Sequence, residues 1–195
     1  MQSPLHILHA EYQELARSER SLTADQRLGL RFYAEERRLQ DNGQWRRPNR
    51  SRIGAWASHA IDLSEFVEVL KRMPRENNRL PAGVISERER TLVEWVKFQR
   101  RAATRALHVE YQERRLLVID GFSFDPLFDL WHSQLIAYAA FVRLNGRSPR
   151  YRSIEPDERR LARWAEEQHR RFEARRMSEA RIASLRSFAV FEWML

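Results

Sequence analysis

Between its breaks the chain carries apolar positions at a helical period. Leu161, Trp164, Ala165, Gln168 and Phe172 recur at i, i+3, i+4, i+7 and i+11, and Leu92, Trp95, Val96, Gln99 and Ala103 repeat that stripe. Such spacing lines one face of an α-helix. No stretch alternates Val, Ile or Thr with polar residues as a strand would. Gly, Pro and Asn gather at 41–43, 46–52, 74–83, 121–126 and 145–156, and the runs between these breaks have ordinary helix length. Ser86 before Glu89 and Ser178 before Arg181 stand where helix N-caps belong. The pattern predicts an all-α fold.

The stripes belong to a longer repeat. Leu92-Val-Glu-Trp95-Val-Lys-Phe-Gln99-Arg100 matches Leu161-Ala-Arg-Trp164-Ala-Glu-Glu-Gln168-His169, and Leu30-Arg-Phe-Tyr33-Ala-Glu-Glu-Arg37-Arg38 echoes both more weakly. Shifting the early copy by one residue puts Phe32 at the aromatic position instead. Upstream, Trp56 precedes Phe66 by the interval at which Trp131 precedes Phe141; downstream, the tail through Phe122 and Phe124 answers the one through Phe188, Phe191 and Trp193. Three domains are expected: a degenerate N-terminal helical copy with a basic linker over 1–55, and full copies over 56–130 and 131–195. Trp95 and Trp164, central in their stripes, read as core residues.

The order Trp131, Phe141, Gly146, Pro149, Leu161-Ala-Arg-Trp164 and Gln168, matched by Phe66, Pro81, Leu92-Val-Glu-Trp95, Gln99-Arg100 and Gly121-Phe122-Ser-Phe124, resembles the helicase-associated domain. That domain is a short three-helix module found in tandem at the C-terminal ends of some bacterial helicases. The resemblance covers roughly 56–195 and implies tandem three-helix bundles that bind nucleic acid. Gln99-Arg100 retains the family's pair, Gln168-His169 retains half of it, and Arg37-Arg38 lacks the Gln.

Charge adds to this picture. The chain has 195 residues and a net charge of +8, with a pI near 10.6, a footprint suited to a polyanion. Its basic residues are 33 Arg and two Lys, Lys71 and Lys97. Residues 143–186 hold thirteen Arg against seven acids, whereas 110–142 hold two Arg against five. That alternation suits phosphate contacts along one edge of an array.

Other chemistry finds little support. Cysteine is absent, which excludes disulfides, thiolate metal sites and a cysteine nucleophile. No G-x-x-x-x-G-K-[ST] cradle for a nucleotide occurs, so the chain is not itself a helicase motor. His6, His9, His59, His108, His132 and His169 form no metal-ligand spacing, and most carboxylates lie within a turn of an Arg, where intrahelical pairing accounts for them. No enzyme activity, cofactor or metal is expected. With no apolar run of membrane-spanning length and no export signal, the expected place is the cytoplasm, at the nucleoid if DNA is bound.

The candidate nucleic-acid-binding residues fall in four groups. Arg46, Arg47, Arg50 and Arg52 form a basic linker able to follow a phosphate backbone. Lys97, Arg100, Arg101 and Arg105 flank the Trp95 stripe. Arg147, Arg150 and Arg152 surround Tyr151 in a Pro-bounded loop, a mixture that can hold phosphate and stack a base. Arg170 and Arg171 lie late in a helix. The expected partner is DNA, double-stranded in preference to single-stranded, with a helicase or other protein as a further partner. The competing reading is a protein–protein adaptor that presents the acidic aromatic joint at 119–131, where Asp120, Asp125 and Asp129 stand beside Phe122, Phe124 and Phe128.

Overall fold

The computed structural model describes residues 2–18, 20–46, 51–75 and 86–191. Among them are eight α-helices and no strand, as the periodicity predicts. They are α1 (Pro4–Arg17), α2 (Ala24–Asp41), α3 (Arg52–Leu70), α4 (Glu87–Ala103), α5 (Glu110–Leu117), α6 (Pro126–Asn145), α7 (Pro156–Glu173) and α8 (Glu179–Phe188). Local chemistry sets their starts. Ser3, Ser51, Ser86 and Asp125 each accept a backbone N–H from the first turn, and Thr23 and Gln26 form a reciprocal capping box. Ser178 opens α8 without a side-chain cap bond.

The chain divides into two compact units, Met1–Phe124 and Asp125–Leu195. Divisions were expected at 55/56 and 130/131; the break lies instead between Phe124 and Asp125, and α1 and α2 share a core with α3–α5. Three contacts explain the difference. Asp125 caps α6, so residues 126–130 belong to the same helix as Trp131. The Phe32 ring meets Trp56 edge-on at 5.2 Å, and Glu36 of α2 pairs with Arg115 of α5.

Each unit is organised around a buried tryptophan, Trp56 on α3 in the first and Trp131 on α6 in the second. In the first unit the Trp56 indole donates to Gln99 Oε1 at 3.0 Å and lies 6.1 Å from the Trp95 ring. In the second, Trp131 donates to Gln168 Oε1 at 2.8 Å and lies 6.0 Å from Trp164. Trp56 and Trp131 are the buried partners; Trp95 and Trp164, expected at the centre, are only partly buried and pack against the cores from the side. The indole nitrogen needs an acceptor once buried, and the glutamine one turn beyond each outer tryptophan supplies it.

The parallel extends through the loops. Lys71 and Gly146 both end their helices in the left-handed region, at φ 51° and 62°, a conformation that costs glycine least. Ala106 and Arg175, after α4 and α7, share a positive φ as well. Leu116 of α5 and Leu185 of α8 are fully buried, and beyond them Phe122 and Phe191 close the two cores.

The first unit has a buried polar network that the second lacks. Glu36 and Arg115 are 0% and 1% exposed, with Arg115 Nε donating to Glu36 Oε1 at 2.7 Å. Tyr111 donates its hydroxyl to Glu36 Oε2 at 2.8 Å, and Arg115 Nη2 donates to Ser64 of α3 at 2.9 Å. Burial pushes the Tyr111 hydroxyl up and His9 beside it down, so both are neutral around Glu36 at neutral pH. Glu36 stands four residues after Phe32, as Gln99 follows Trp95 and Gln168 follows Trp164. Phe32 is thus the buried aromatic of α2, and Glu36, one turn on, faces the same core with a carboxylate where Gln99 and Gln168 have an amide.

Leaving one buried charge without its partner costs about 3–5 kcal/mol, whereas replacing both with apolar groups is close to neutral. Arg115→Met is expected to destabilise the first unit by about that amount, and Glu36→Leu added to it to restore most of the loss. Denaturant titration of the single and double variants reads this directly. Additive losses would mean that the pair is not coupled.

Candidate nucleic-acid interface

The candidate cations divide by whether the fold already uses them. Arg147 is used fully. It leaves the Gly146 turn, its Nη1 donates to Glu158 Oε1 at 2.6 Å and to the Ser148 carbonyl at 3.1 Å, and its guanidinium stands 5.3 Å from the Phe141 ring. Glu158 is buried at the first turn of α7 and takes two further donors, the Arg150 amide at 2.7 Å and the Ser153 hydroxyl at 2.8 Å. Charge-assisted bonds of this kind favour the ionised carboxylate. The Arg147 guanidinium, with the Arg150 amide, holds the Glu158 carboxyl down at about 2.

The first unit has the same clasp. Arg72 donates to Glu89 Oε1 at 2.6 Å, the Arg75 amide reaches that oxygen at 3.1 Å, and Arg72 stands 5.4 Å from the Phe66 ring. The Arg72 guanidinium holds Glu89 below the usual carboxylate range. The sequence carries the signal for both clasps as Arg72-Met-Pro-Arg75 and Arg147-Ser-Pro-Arg150. In each, the first arginine takes the carboxylate and the second supplies only its backbone N–H.

The remaining candidates sort as follows. Arg100 donates to the Ser123 carbonyl at 2.8 Å and packs over Phe122, so it ties the tail of the first unit to α4. Lys97 pairs with Glu94 at 3.0 Å, and Arg171 with Glu167 at 2.7 Å, while Arg170 also meets Glu167. These last pairs are intrahelical and exposed, so solvent screens them, and a phosphate can displace them. Arg46 pairs with Glu65 of α3 and lies over Trp45. Arg47 and Arg50 lie outside the described residues.

Of the candidate arginines, Arg52, Arg101, Arg105, Arg150 and Arg152 have exposed side chains with no ion pair or hydrogen bond among the described residues. Arg101 lies in the last turn of α4 and Arg105 in the turn beyond its C-cap, and Arg150 and Arg152 bracket Tyr151. Arg52 opens α3, whose first turn has no acid, so its charge adds to the positive end of the helix. The pair Arg150/Arg152 is the best defined. A turn closes from Arg150 O to Ser153 N at 3.3 Å, placing Tyr151 and Arg152 at its tip. Arg159 holds the following carbonyls, of Ser153 and Ile154, at 2.7 and 2.6 Å. Sequence reasoning missed Arg159 and also Arg163, which stands 5.5 Å from the Tyr151 ring.

The acidic joint does not present its aromatics. Phe122 is buried and Phe124 partly buried in the first core, and Phe128 packs against the second. Leu127 and Leu130 on α6 are the exposed apolar residues there. Among the described residues no cluster of His, Asp and Glu could hold a metal ion, and no helix is long and apolar enough to cross a membrane. Comparison of the chain with family models, with curated proteins and with solved structures gives no match.

Because Glu158 sits below its ordinary value of 4.5 in the folded state, its clasp stabilises fully above that pH and loses its effect as pH falls toward about 2. Thermal midpoints followed by tryptophan fluorescence should therefore drop across that window more steeply in the parent than in Glu158→Gln, which should be less stable at neutral pH. Equal pH slopes in the two proteins would show that the clasp contributes nothing.

Proposed function

We propose that this chain binds nucleic acid without catalysing a reaction, DNA foremost, as an accessory or regulatory module of tandem three-helix units related to the helicase-associated repeat. In this reading α3–α5 and α6–α8 are the two full copies, and α1–α2 are the remnant of a third folded onto the first. The carrying observation is the recurrence of one set of contacts, tryptophan to glutamine and arginine to glutamate, in units that leave separate arginines exposed. Units that share a scaffold and leave arginines exposed, after α4 in one and in the α6–α7 loop of the other, offer a charged polymer several phosphate contacts.

Arg101, Arg105, Arg150 and Arg152 are the contacts we assign first, with Arg52 and Arg46 beside the linker and Lys97, Arg170 and Arg171 as secondary contacts. Arg147 and Arg100 are assigned to the fold. The adaptor reading loses its main support because the joint's phenylalanines face inward.

Fluorescence anisotropy with labelled duplex and single-stranded DNA over a salt series tests the proposal. Each phosphate neutralised contributes about −0.9 to the slope of log affinity against log salt for duplex, and about −0.7 for a single strand. Four contacts give a slope near −3 to −4. Arg150→Glu with Arg152→Glu is expected to weaken binding and to shallow the slope by about two. Negligible binding at low salt would overturn the proposal, and an unchanged slope would remove the loop from the interface.

A further inference from the structure

The loop between α6 and α7 is held more firmly than a connection of its length requires. Glu158 binds it at Arg147, at the Arg150 amide and at the Ser153 hydroxyl; Arg159 grips two carbonyls; and Tyr138 donates to Ser148 at 3.3 Å. All of these bonds pin the sides of the turn and none pins its tip. Tyr151 sits at that tip, 55% exposed, while Phe128, Trp131, Tyr138, Phe141, Trp164, Phe188 and Phe191 pack into or against the core of the second unit. The guanidinium of Arg163, from α7, covers one side of the ring at 5.5 Å. Arg150 and Arg152, on either side of Tyr151 in the chain, have exposed side chains that meet no acid, while Glu158 is already paired with Arg147.

We infer that Tyr151, backed by Arg163 and flanked by Arg150 and Arg152, is a stacking shelf for an unpaired nucleobase whose neighbouring phosphates meet the two arginines. This rests on the nucleic-acid reading above and narrows it to a strand with at least one base out of the helix. An aromatic ring exposes a π-face that any base can cover, whereas bases inside a duplex offer no face to it. The cation behind the ring adds a second attractive layer. Rigidity at the flanks means that little ordering accompanies binding, which is what lets one exposed tyrosine hold a base.

The full-length protein is titrated into a single-stranded oligonucleotide carrying 2-aminopurine, and into its fully paired duplex. The parent is expected to quench the 2-aminopurine fluorescence of the single strand, and Tyr151→Phe to behave alike. Tyr151→Ala and Tyr151→Leu are expected to bind the single strand about tenfold more weakly, with the salt slope, the duplex affinity and the thermal midpoint unchanged. The leucine variant keeps apolar bulk and removes only the π-face. If the alanine variant binds and quenches as the parent does, the shelf is overturned while salt-dependent binding of the parent keeps the general reading intact. If the parent binds neither strand form at low salt, both fall together.

Discussion

A buried indole N–H left without an acceptor is costly, and the Trp56 and Trp131 indoles, unlike that of Trp45, find one in a glutamine that sets the register of α3 on α4 and of α6 on α7. Trp56 and Trp131 reach across to Gln99 and Gln168 at ordinary hydrogen-bond length. An unmade bond of this kind costs about 1–3 kcal/mol, so sliding one helix past the other by a residue forfeits the bond and displaces the stripe that seals the core. His108 also contacts Gln99 Oε1, at 2.9 Å. The amide thus joins the start of the third element to the other two. Once the helices are fixed, the turns after α3 and α6 have a fixed distance to span. An arginine at the left-handed corner and a glutamate at the next helix start close it.

That closing clasp decides how the chain's basic excess can be used. A net charge of +8 says that a polyanion is attracted but not where it sits. Arginine serves both purposes here because its planar fork suits a carboxylate as well as a phosphate. Arg72 and Arg147 hold carboxylates and stand over phenylalanine rings; Arg115 is buried in a network; Arg100 caps a carbonyl. Arg101, Arg105, Arg150 and Arg152 do none of these things. Their exposure carries a cost in self-repulsion that the fold itself does not require, and a phosphate backbone relieves it.

The all-α class and the helix faces were legible because stripes at a 3.6-residue period have few other readings. The core was legible only in part. Trp95 and Trp164 dominate the motif, yet the deeper position belongs to Trp56 and Trp131, which stand outside any short signature and are identified by what they bond. Glu36 was hidden by its neighbours. In Glu35-Glu36-Arg37-Arg38 local pairing is the simplest reading, and Glu35 does pair with Arg38 at 2.8 Å, while Glu36 turns inward to Arg115. Among the candidate site residues, Arg147 and Arg150 look equivalent in sequence; only the position of Glu158 separates a guanidinium engaged in the fold from one left in solvent. The Arg-x-Pro-Arg repeat held that information, but its meaning depends on a glutamate eleven residues beyond Arg147 and seventeen beyond Arg72.

Hydrogen–deuterium exchange of the full chain, alone and with saturating DNA at low salt, tests most directly the claim that exposed arginines in the loops and turns meet the polymer while the clasped ones hold the scaffold. The account predicts slower exchange on binding in two stretches, 146–155 and the turn after α4 at 101–107. The amides of α1 and α5 should exchange as they do in the free protein. Protection confined to α1 and α5, with those two stretches unaltered, would contradict it.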